Sequence, residues 1–114
     1  MIYKVSISQK AEADLDAIYK YYSREYSESS TKKIMIELQT KIDYLSLFPE
    51  AYTDFEGRIG EKYFSNAYLR MIPTKNYLIF YIIQEKAVTV LRIVGTRTDY
   101  LNHLDQLFKR ADKS

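Results

Sequence analysis

The sequence predicts a small α+β fold with the element order β-αα-βββ, and three observations predict it. The opening residues alternate with a period of two, as a half-buried strand does. Two apolar stripes at helical spacing follow. The C-terminal half then holds three β-rich runs separated by turn signals. The expected architecture is a small, mostly antiparallel sheet packed against a helical hairpin, with a short C-terminal helix. At 114 residues this is one domain, spanning residues 1–114.

Each element has its own signal. Tyr3, Val5 and Ile7 alternate with Lys4, Ser6 and Ser8, which gives the first strand. Ser8 offers an N-cap oxygen, and Ala11, Leu15, Ile18, Tyr22 and Tyr26 then form one apolar stripe. Acidic Glu12, Asp14 and Asp16 suit the positive end of that helix dipole. As neighbouring carboxylates on a helix, Glu12 and Asp14 read as a solvated face rather than a catalytic pair. The serine-rich stretch Ser27 to Thr31 ends the first helix and caps the next. Ile34, Leu38, Ile42 and Leu45 make the second stripe, and Pro49 stops it. Residues 50–67 show no sustained period and read as a loop with a short strand. Tyr68–Ile72 is a strand, followed by the turn Pro73-Thr74-Lys75-Asn76. Tyr77–Ile83 is apolar without alternation, as a strand covered on both faces should be. Val88–Val94 is the last strand, and Asp99–Phe108 carries Leu101, Leu104 and Phe108 on one side of a short helix.

Composition narrows the function. No cysteine is present, which excludes disulfides, thiolate zinc sites and a cysteine nucleophile. The single histidine excludes a metal site built on two imidazoles, and no metal or cofactor is expected. The longest apolar run is seven residues, against about 20 for a membrane span. A soluble, cytoplasmic protein is the expectation. Tyrosine is the oddity, 12 residues with no tryptophan. Those rings supply apolar bulk with a polar handle, or stack on nucleobases; composition does not separate the two.

Charge is unevenly spread. The net charge is only +2, yet the helical segment 9–48 nets −1 while the meander 68–97 nets +4. Arg92 lies inside an otherwise apolar strand, so it must pair, with Asp99 or a helix carboxylate, or look into a groove. Arg70 and Arg97 stand at strand ends, where they can bracket an anion, and Lys75 and Lys86 lie in turns. If these cations share one accessible surface, Arg70, Lys75, Arg92 and Arg97 are candidate contacts for a polyanion or an acidic protein segment. The inventory holds no glycine-rich phosphate loop and no nucleophilic-serine elbow. Metal-free cleavage of RNA by its own 2′-hydroxyl is the reaction it can still support. Arg70, Arg92 and Arg97 would then offset the charge on the phosphorane, with Tyr81 or His103 moving protons.

The same residues carry a family resemblance. Ser8–Ile18, the Leu47-Phe48-Pro49 stop, Asn76–Tyr81 and above all Val90–Asp99, in this order, resemble the RelE/ParE superfamily of toxins from type II toxin–antitoxin modules, over residues 3–108. The resemblance implies a growth inhibitor neutralised by a cognate acidic antitoxin, which also brings the operator-DNA contact. It implies one of two activities. A ParE-like toxin inhibits DNA gyrase by binding, without a catalytic set. The alternative is a RelE-like, ribosome-dependent mRNA endonuclease. On that alternative Arg97 matches the arginine after the last strand, His103 falls near the C-terminal tyrosine, and Arg70 matches a basic position on the second strand. Leu78 and Val94 stand where many nucleases of the superfamily carry arginine and histidine, which, with the long hairpin, favours the gyrase reading.

Overall fold

The computed structural model describes residues 2–60 and 62–108, so residues 1, 61 and 109–114 of the expected domain lie outside the described residues. Strand β1 (Lys4–Ile7) runs straight into helix α1 (Gln9–Glu25) because Ser8 serves both. The Ser8 amide donates to the Val90 carbonyl at 2.9 Å, as a strand residue would. Its hydroxyl accepts the Ala11 amide at 3.0 Å and donates to the Leu91 carbonyl at 2.9 Å. Ser27 caps α2 (Glu28–Tyr44) by accepting the Ser30 amide.

The sheet is five-stranded, in the order β1-β5-β4-β3-β2. Strands β3 (Tyr68–Pro73), β4 (Tyr77–Gln84) and β5 (Ala87–Gly95) form an antiparallel meander, and β1 joins β5 in parallel. A two-residue strand, β2 (Thr53–Asp54), lies on the far edge against β3. After it comes a helix the sequence did not announce, α3 (Phe55–Ile59), capped by the Asp54 side chain. It closes on Gly60 at φ +74°, a left-handed position that glycine takes without strain. A 3-10 turn (Tyr100–His103) and α4 (Leu104–Phe108) end the described chain.

Alternation along β4 builds two cores. Ile79, Tyr81 and Ile83 face α1 and α2, where Ala11, Ile18, Ile34, Leu38, Ile42 and Leu45 are buried. Leu78 and Phe80 face the other way, with Ile82 packed alongside. There they meet α3, the 63–67 loop and Phe108 of α4, whose ring lies 5.2 Å from Phe80 and 5.6 Å from Tyr63. The unbroken apolar run of β4 is thus two interleaved sets, one per face.

The second core depends on one carboxylate. Glu56 is only 8% exposed and accepts the Tyr63 amide at 2.6 Å and the Phe64 amide at 3.2 Å, with the Lys62 ammonium 3.6 Å away. It holds the 62–68 segment down over the sheet. Replacing Glu56 with Ala strands both amides, at about 1–3 kcal/mol for each. Urea unfolding of the Glu56→Ala protein should therefore show a lower midpoint.

Candidate functional site

β1 pairs with β5 only as far as Ile7 opposite Val90, after which the chain turns up into α1. Beyond that point β5 loses its neighbour. A β-bulge leaves Leu91 without a register partner, its carbonyl taken by Ser8 instead. The Asp14 side chain comes down from α1 to fill the gap. Its Oδ2 accepts the Ile93 amide at 2.8 Å and the Arg92 Nε at 2.8 Å, and its Oδ1 accepts the second guanidinium nitrogen at 3.0 Å. The side chains are 16% and 23% exposed, so this forked pair is partly shielded from water. The Asp14 hydrogen bonds favour the charged form of Arg92 and raise its pKa. Asp14 is therefore no solvated-face residue, and of the partners expected for Arg92 the helix carboxylate is the one found. A signal was present: Asp14 sits three residues after Ala11 and four before Ile18, on the stripe that faces the sheet.

Arg70 on β3 and Tyr81 on β4 are register partners on the face that carries the helical hairpin. The Arg70 guanidinium donates to the Tyr52 carbonyl at 2.7 Å, and Tyr81, fully buried, donates its hydroxyl to the Pro49 carbonyl. Together they fasten the loop after α2 to the sheet. Burial raises the Tyr81 phenol pKa, against the opposing influence of the Arg70 charge.

Lys75 and Arg97 are exposed and lie close in the fold, because the Thr96 amide donates to the Asn76 carbonyl at 3.0 Å. Neither makes an ion pair among the described residues. Arg97 borders a groove of about 530 Å³ lined by Tyr21, Tyr22, Tyr26 and Tyr77. His103 is also exposed and borders an adjoining groove of about 520 Å³, between α1 and α4, together with Ile18, Arg92 and Tyr100. The four cations Arg70, Lys75, Arg92 and Arg97 do not gather on the one accessible surface that the charge pattern suggested. Arg92 is bound to Asp14 and Arg70 to backbone oxygens, leaving Arg97 and Lys75 as the free pair. Among the described residues no cluster of three or more His, Asp or Glu side chains could hold a metal ion.

A helical hairpin on one face of a meander, with the first strand returning parallel to the last, is the α+β architecture that the RelE/ParE resemblance implies. The chain belongs to the ParE toxin family: residues 5–100 match the family described as ParE toxin of type II toxin-antitoxin system, parDE. It is thus a type II toxin, which implies an antitoxin partner. The fold also resembles a solved structure titled "Chromosomal ParDE TA system from P. aeruginosa", with a TM-score of 0.63 and 17% identity, covering 82% of this chain and 96% of that one. No curated protein matches the sequence. Among the described residues no helix is long and apolar enough to cross a membrane.

Two measurements test this geometry. Asp14→Ala strands both Arg92 and the Ile93 amide and should cost about 2 kcal/mol in urea unfolding. The second concerns Tyr77, whose phenol is pushed from 10.0 up to about 12, first by burial and then by neighbouring Tyr22. A raised folded-state value favours the neutral form in the native state. Its contribution to stability is therefore complete below pH 10 and is lost as pH rises through about 12. Tyr77→Phe should flatten that loss and remove one late step from the phenolate absorbance titration.

Proposed function

We propose that the protein arrests growth by binding DNA gyrase, not by cleaving RNA, and that an antitoxin with an acidic, partly disordered segment relieves the arrest. The observation carrying this reading is that three of the five groups an RNA-cleaving site would use are already committed to the fold. Arg92 is spent on Asp14, Arg70 on the Tyr52 carbonyl and Tyr81 on the Pro49 carbonyl. Leu78 and Val94, at the two positions where nuclease relatives carry arginine and histidine, fill the second core. A charged side chain there would be desolvated without a partner. What remains exposed is suited to binding.

The antitoxin reading follows from the same surfaces. Asp14 already occupies the Ile93 amide, so an added strand has no free edge at the end of β5. β1 does offer one: Lys4 and Ser8 point their amides at β5, which turns those of Val5 and Ile7 outward. The groove between α1 and α4 suits an apolar helix face, with Arg97 and Lys75 nearby for its acidic residues.

A RelE-like reading keeps support from His103 and Arg97, exposed on adjoining grooves. One paired assay separates the two activities. Added to purified gyrase, the toxin should block supercoiling, while primer extension after cell-free translation shows intact transcripts. Cleavage at A-site codons with supercoiling unaffected would overturn the proposal. The double substitution Lys75→Glu, Arg97→Glu should weaken the antitoxin complex about tenfold or more while leaving the melting temperature unchanged.

A further inference from the structure

The tyrosine excess has a focus in space. At the end of α1, Tyr22 stacks on Tyr26 with ring centroids 5.0 Å apart and planes 29° from parallel. Tyr21 meets both edge-on, at 5.5 Å from Tyr22 and 6.0 Å from Tyr26. Tyr77 joins them from β4 as a lining residue of the same groove. Tyr26 was expected to continue the buried stripe of α1. Instead it is 54% exposed, and Tyr21 is 43% exposed. Several aromatic faces held in fixed orientation thus stand open to water beside the core they could have joined.

The opposite wall of this groove comes from the segment after β5. Arg97 lines it, Asn76 joins from the β3–β4 turn, and Lys75 lies beside Asn76 in that turn. Arg97 has no carboxylate partner among the described residues, unlike Arg92. The groove's volume, about 530 Å³, is enough for a base and its sugar-phosphate. Aromatic faces accept any base by stacking, an arginine accepts phosphate, and an amide reads a base edge.

We propose that this groove is a binding site for a nucleobase with its attached phosphate, with Tyr21 and Tyr26 stacking on the base and Arg97 holding the phosphate. A single-stranded nucleic acid and a free nucleotide share that chemistry. The site does not depend on gyrase being the target, because nothing in the supercoiling assay requires it.

The test is fluorescence anisotropy of purified toxin with labelled single-stranded DNA and RNA 12-mers, alongside competition by AMP and ATP. Binding should weaken about tenfold or more in Tyr21→Leu, Tyr26→Leu protein. It should be unchanged in Tyr44→Leu protein, which loses an exposed tyrosine on α2, outside the groove. Arg97→Gln should lower the salt slope for single strands by about 0.7, the value for one phosphate contact. Competition by AMP or ATP at concentrations comparable to the oligonucleotide assigns the site to free nucleotides; its failure assigns it to strands. No binding of either probe overturns the proposal, and so does binding that ignores the two tyrosines. Blocked supercoiling with no oligonucleotide or nucleotide binding would remove this site and leave the gyrase reading intact.

Discussion

The structure depends on how the chain passes from its first strand to its first helix. β1 is four residues long, and β5 is nine. A parallel partner that short leaves the second half of β5 with unpaired backbone on one side, a state that costs free energy when shielded from water. The Asp14 carboxylate resolves this. Because Ser8 starts α1 at once, the second turn of the helix passes over β5, and Asp14 meets the Ile93 amide where a strand would have been. Arg92, re-aimed by the bulge, then neutralises the carboxylate. Helix position, strand register and the placement of the meander's central cation follow from one side chain.

That arrangement decides how charge is used. The meander is the basic part of the chain, but its buried and half-buried arginines work inward. Arg92 offsets a helix carboxylate, and Arg70 collects carbonyl oxygens from the loop before β2. Both faces of the sheet are covered, one by the hairpin and one by α3 and α4, so no open basic platform is left. Positive charge reaches solvent at the β3–β4 turn and after β5, beside a bank of tyrosines. A protein so built presents surfaces for recognition.

The order of elements was legible because each has a periodic signature of its own. Ser8 and Ser27 marked helix starts correctly, and the residues of the second stripe, Ile34, Leu38, Ile42 and Leu45, are all buried. The second core was not legible. Its members Phe55, Tyr63, Phe64, Ala67 and Phe108 are scattered over short elements, and a five-residue helix is too brief to show a period. The sequence shows that Arg92 needs a partner, yet it does not single out Asp14, because the helix dipole explains that carboxylate equally well. A carboxylate on a buried stripe carries different information from one on the opposite face. Tyr26 fits the helical spacing but is the residue that ends α1, in extended conformation and half exposed, which spacing alone does not reveal.

Hydrogen–deuterium exchange at the Ile93 amide tests the central claim most directly. If the Asp14 carboxylate stands in for the missing strand, this amide exchanges as slowly as those inside the β4–β5 ladder, such as Phe80 and Thr89. Exchange as fast as that of the exposed Arg97 amide would mean that the end of β5 is open, that Arg92 is free to serve a ligand, and that the division of charge described above is wrong.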